Sequence, residues 1–229
     1  MLPPARTALL DPIQPLAPPT AAAADRRWSA STWALLRRQR DGRSLAPAGT
    51  LGGSQAGVRL LYRVGDGLAL SARAYVPLRR PKGAEAAAGL EWRPASAIPV
   101  AILAERRQAL GREGRSAFSV LVHGGASRAL PGGLRLDAYA QTGIVGVRSR
   151  DTFLDVSARV AARLGPVEVG AGAWGAAQPG ASRLDVGPSL SYRLPVAHAN
   201  LRLEADWRFR LAGDAAPGSG PALTLAADF

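Results

Sequence analysis

The chain has 229 residues, with 29 Lys+Arg against 17 Asp+Glu, no cysteine, 26 Gly, 18 Pro and a formal net charge of +12. The missing cysteines exclude a disulfide framework, a thiolate metal site and a cysteine nucleophile. Two histidines, His123 and His198, leave little material for a zinc site or a proton relay. No run approaches the roughly 18 to 20 uninterrupted apolar residues of a membrane helix.

Residues 1–25 are rich in Pro and Ala. Leu9-Leu10 is followed by Asp11, Pro12, Pro15, Pro18 and Pro19, so no continuous apolar h-region forms, and the segment reads as a disordered leader or linker. Residues 26–229 form one domain in which apolar side chains recur at every second position, the period of a strand. Trp28–Arg37 is a weakly patterned first segment. Ala56, Val58, Leu60 and Tyr62 then alternate with Gly57, Arg59, Leu61 and Arg63, and Leu68, Leu70, Ala72, Ala74 and Val76 flank Ser71, Arg73 and Tyr75. Glu85–Arg93, Val100–Arg107 and Ala117–His123 are weaker. Leu134, Leu136, Ala138 and Ala140 alternate with Arg135, Asp137, Tyr139 and Gln141. Leu154, Val156, Ala158 and Val160 alternate with Asp155, Ser157 and Arg159. Val167–Gly175 is weak again, and Leu184, Val186, Leu190 and Tyr192 alternate with Asp185, Ser189, Ser191 and Arg193.

The clearest segment is Ala199–Leu211. Leu201, Leu203, Ala205, Trp207, Phe209 and Leu211 share one parity, and Arg202, Glu204, Asp206, Arg208 and Arg210 share the other. On a strand this gives one apolar and one ionic face, whereas a helix would scatter charge around its circumference. Leu223-Leu225-Ala227-Phe229 ends the chain. Turn residues such as Gly65-Asp66-Gly67, Pro131-Gly132-Gly133, Gly165-Pro166 and Pro179-Gly180 separate the segments. About twelve strands of roughly ten residues, each long enough to cross a bilayer when tilted, predict an all-β, antiparallel meander transmembrane β-barrel.

The aromatics carry the membrane reading. With strand one running away from the periplasm, Trp28, Tyr62, Trp92, Tyr192 and Phe229 lie on the apolar parity at one end of the barrel, as a lipid–water girdle should. Phe118, Trp207 and Phe209 fall near the opposite rim. A final alternating strand ending in Phe229 resembles the terminal assembly signal of bacterial outer-membrane β-barrel proteins. That resemblance implies a Gram-negative outer-membrane location and a barrel-assembly partner acting through the C-terminal strand. A Gly/Arg-rich barrel behind a non-secretory N-terminus also resembles the C-terminal barrels of exopolysaccharide-export and phage-adsorption proteins, which implies an upstream periplasmic domain.

Parity sorts the charge. The expected lumen-lining residues are Arg59, Arg73, Glu91, Arg135, Asp137, Asp155, Arg159, Asp185, Arg202, Glu204, Asp206 and Arg208, a set close to balance. The excess gathers after odd-numbered strands, in a basic outer rim of Arg38, Arg40, Arg80, Lys82, Arg112 and Arg115 suited to lipopolysaccharide phosphates. Arg37 belongs to this rim as well, and Arg106 lies on the lipid parity beside it. The expectation is a narrow pore or export conduit for a polar, anionic saccharide. The alternative is a charge-filled barrel serving as an anchor or surface receptor.

Other chemistry finds little support. Gly170-Ala171-Gly172-Ala173-Trp174-Gly175 matches GxGxxG, but Pro179-Gly180 forbids the following helix that a dinucleotide needs, so no cofactor is expected. Ser119 and His123 could make a hydrolase pair, but both point inward, away from lipid. Nucleic-acid binding would need aromatics interleaved with the rim cations, and there are none.

Overall fold

The computed structural model of the chain describes residues 27–38, 51–79, 83–95, 98–196 and 199–229. Twelve strands succeed one another: β1 Trp28–Arg37, β2 Gln55–Gly65, β3 Leu68–Pro77, β4 Glu85–Trp92, β5 Val100–Ala109 and β6 Ala117–Leu130, then β7 Leu134–Val145, β8 Asp151–Leu164, β9 Val167–Gln178, β10 Ala181–Val196, β11 Ala199–Ala212 and β12 Gly220–Asp228. Each pairs antiparallel with its chain neighbours, and β1 pairs with β12, so the meander closes into a barrel. Closure removes the free edges of an open sheet. It is completed at the last residue, where Phe229 N donates to Ala30 O at 2.9 Å and Ala30 N returns a bond at 3.3 Å. The leader, together with Arg40, Arg80, Lys82 and His198, lies outside the described residues.

Parity decides which way each side chain points, and the result inverts a water-soluble protein. Leu60, Leu70, Leu90, Val120 and Leu190 stand exposed on the outside, while Arg59, Glu91, Glu105, Arg107 and Asp185 are buried inside. The outward face of β11 is apolar from Leu201 to Leu211. About ten steps of roughly 3.3 Å at a tilt near 40° span about 25 Å, the height of the lipid-facing band of an outer-membrane barrel. Aromatics bracket this band. At the end where β1 begins and β12 finishes (the terminal end), Trp28 and Tyr62 stack with ring centroids 4.6 Å apart, and Trp92, Tyr192 and Phe229 are exposed outward. At the other, loop end, Phe118, Trp207 and Phe209 are exposed, the last two with centroids 6.3 Å apart.

Several strands run longer than the sequence suggests. β6 continues past His123 to Leu130, because Gly124 and Gly125 lie within the ladder instead of breaking it. A Cβ on Gly124 would sit 2.2 Å from Pro99 O, so glycine here permits close backbone approach. The GxGxxG segment likewise lies inside β9. Its Gly172 makes room for the inward Trp174 indole, which a Cβ would meet at 2.5 Å, and Gly57 does the same for Trp33 at 2.3 Å.

Candidate functional site

The barrel interior divides into three tiers. The terminal end is a vestibule in the sense that its inward-parity arginines keep contact with water. The exposed Arg63 and Arg163 ring its mouth, and the side chains of Arg93, Arg135 and Arg193 keep 45%, 37% and 35% of their surface. Below the mouth, Arg159 is a hub: it lies 2.6 Å from Glu168, 3.9 Å from Asp137 and 4.0 Å from Glu204. Arg193 reaches Glu168 at 3.1 Å, and Arg202 reaches Glu204 at 2.8 Å. Farther along the axis, toward the loop end of β8, half-buried Asp155 accepts from Gln141 at 3.5 Å.

The middle tier is packed along β2–β6. Arg59 pairs with Glu91, which also bonds His123 Nε2 at 3.1 Å. Arg73 grips Glu105 through two bonds of 2.9 and 2.5 Å, and Ser119 Oγ donates to the same carboxylate at 2.8 Å. Arg107 donates twice to Glu85, at 2.9 and 2.6 Å. These groups have almost no contact with water, so each charge depends on its partner. Breaking such a pair typically costs about 3–5 kcal/mol, because the remaining ion stays buried.

The loop end is closed by connecting segments. After β1 the chain returns inward at Leu51, which is 1% exposed and packs with Leu103, Leu121, Val145, Phe153 and Ala215. Ala215 belongs to the β11–β12 connection, and Leu51 N donates to Ala216 O at 3.0 Å, so the two connections hold each other. Asp185, fully buried, clamps them. It pairs with Arg37 at 3.3 Å, with Arg183, and with Arg210 at 2.8 Å. Each of these guanidinium groups also donates to a carbonyl of the plug. Arg37 reaches Gly218 O at 3.2 Å, Arg183 reaches Leu51 O, and Arg210 reaches Gly213 O at 3.1 Å and Pro217 O at 2.6 Å. Beside the clamp Arg208 bonds Asp206 at 3.0 Å and lies 4.2 Å over the Trp174 ring.

All twelve residues expected in the lumen point inward, but they do not line one continuous water-filled surface. Arg59, Arg73, Glu91, Asp185, Asp206 and Arg208 are buried; Arg135, Asp137, Arg159, Arg202 and Glu204 are half-buried near the vestibule, and Asp155 is half-buried toward the loop end of β8. The interior also holds apolar side chains that the charge pattern does not suggest: Trp33, Leu35, Leu61, Tyr75, Leu103, Leu121 and Phe153. Arg37 was expected on the outer rim and instead turns inward to Asp185, because it shares parity with Trp33 and Leu35. Arg183, two residues before Asp185 on the same face, was missed; that spacing was the available signal. Leu51 lies in a connection, where no periodicity marks it.

At the rim, Arg38 and Arg112 are exposed. Arg115 is held by Asp151 at 2.5 Å and donates to Val145 O at 3.2 Å, so its charge is largely neutralised. Ser119 and His123 both face inward, each engaged by its own glutamate.

No family model matches the sequence, and no curated protein matches it. Among solved structures the chain is similar to an outer membrane channel from Pseudomonas putida F1, at 13% identity and a TM-score of 0.45 over 96% of this chain and 98% of that one. It is similar to a bacterial polysaccharide outer membrane secretin, at 9% identity and a TM-score of 0.44 over 88% and 97%. A third is Wzi, an Escherichia coli outer membrane protein involved in group 1 capsule assembly and described as a carbohydrate-binding β-barrel, at 11% identity and a TM-score of 0.33 over 88% and 56%.

Proposed function

We propose that the chain is an outer-membrane β-barrel serving as a narrow conduit for a polar, anionic solute, closed at its outer mouth in the state described. The supporting observation is the contrast between the two ends. The terminal end opens through exposed arginines, and the loop end is stopped by two connecting segments hung on Asp185. A plug made of connections can leave without breaking the strand ladder. A guanidinium-lined entrance favours carboxylate- or phosphate-bearing solutes, acidic saccharides among them, through charge-assisted hydrogen bonds. In this reading the loop end faces the exterior, and the C-terminal strand that seals the barrel is the one the assembly machinery receives.

A second reading, a filled barrel acting as an anchor or receptor, draws support from the burial of Arg59, Arg73, Glu91 and Glu105. Planar-bilayer recording separates the two. A conduit gives single-channel steps whose reversal potential in a salt gradient favours anions. A filled barrel gives none, although it migrates as a heat-modifiable folded species.

A further inference from the structure

Two described strand positions place an arginine on the lipid-facing side: Arg106 on β5 and Arg128 on β6. Arg106 lies at the loop end. The ladder sets it opposite Phe118, and its guanidinium carbon is 4.8 Å from the centre of that ring. No carboxylate pairs with it among the described residues. Phe118 O accepts from Gly146 N at 2.8 Å, which brings the β7–β8 connection alongside. That connection exposes Val147, Arg148 and Arg150, and the β5–β6 connection exposes Arg112. The acids nearby are Glu113, which is exposed, and Asp151, already held by Arg115 at 2.5 Å. Directly below, Phe118, Val120 and Ile144 present an exposed apolar wall.

We propose that the outer ends of β5–β8 bind a lipid carrying more than one phosphate group on its head. This site rests on the reading that the barrel sits in a membrane, and goes beyond it. The pattern is amphiphilic: cations above, acyl-compatible surface beneath, so a soluble phosphate would satisfy only its upper half. Arg106 sits where a charge facing acyl chains needs an anion or a route to the headgroup layer, and its stacking on Phe118 holds the guanidinium against that outer face. Guanidinium groups grip phosphate through paired N–H donors. The four arginines outnumber the single free acid, so one monoanionic head would leave the patch undercompensated.

The test uses the full chain refolded into phospholipid nanodiscs, probed with a bis-phosphorylated glucosamine-disaccharide lipid, its enzymatically dephosphorylated form, phosphatidylglycerol and inorganic pyrophosphate. The bis-phosphorylated lipid should bind at least ten-fold more tightly than the dephosphorylated lipid or phosphatidylglycerol, and millimolar pyrophosphate alone should not saturate the site. Arg106→Ala with Arg148→Ala should weaken binding at least ten-fold, and Arg128→Ala, at the opposite end, should leave it unchanged. Equal binding of the phosphorylated and dephosphorylated lipids, saturation by pyrophosphate, or indifference to the double variant would overturn the site while leaving the membrane reading intact. A chain that inserts into no bilayer would overturn both.

Discussion

Asp185→Asn tests the closed loop end most directly, because it removes one charge and almost no volume. The wild-type carboxylate is fully buried and compensates Arg37, Arg183 and Arg210, whose other donors hold the plug carbonyls. Asparagine keeps one acceptor oxygen but leaves the side chains of Arg37 and Arg183, 1% and 3% exposed, beside one another without a counter-charge. Stranding a buried ion costs about 3–5 kcal/mol, and the retained oxygen favours the lower figure. The arginines recover solvation if the plug withdraws, so most of that cost falls on the closed state. A shift of about 3 kcal/mol is roughly 150-fold in the opening equilibrium, and would raise an open population of about one in a thousand to about one in seven. Single-channel recording reads this as open probability. The engineered pair Leu51→Cys and Ala216→Cys is the complement, since these residues already share a backbone bond of 3.0 Å and the chain has no native cysteine. Oxidation should abolish opening and reductant restore it. If Asp185→Asn folds to a heat-modifiable barrel yet conducts no more than wild type, the plug is permanent and the conduit reading fails.

Three further outcomes follow from the interior. Arg73→Ala leaves Glu105 buried without its two-point guanidinium partner and should lower unfolding stability in detergent by about 3–5 kcal/mol, whereas replacing both partners by Met and Leu should restore most of it. Gly57→Ala drives a methyl group to 2.3 Å from the Trp33 ring and should destabilise the barrel by about 1–3 kcal/mol, seen as a lower urea midpoint and altered tryptophan emission. Arg135→Glu with Arg193→Glu reverses two half-buried vestibule charges and should move the reversal potential toward cations without changing the fold. An unmoved potential would place the selective step elsewhere.

How much was legible in the sequence varies along the chain. In β11, alternating Leu and Arg assign a face to every residue, because a two-residue period is a local property and a slip of one position would turn every charge to the outer face. The strand class, the meander and the aromatic bands all follow from that local rule. It weakens where both parities are apolar, as in β1, where Ala34 and Leu36 face out and Trp33 and Leu35 face in, so alternation alone does not turn Arg37 inward. It weakens again at Gly124-Gly125, where missing side chains look like a break although the ladder continues. The plug was beyond its reach. Leu51 and Arg183 are 132 positions apart and meet only after twelve strands have closed into a cylinder. Alternation along a strand determines which atoms face outward and which face the axis. Whether that axis is open or stopped depends on how the connections fold back across it, and only long-range packing decides that.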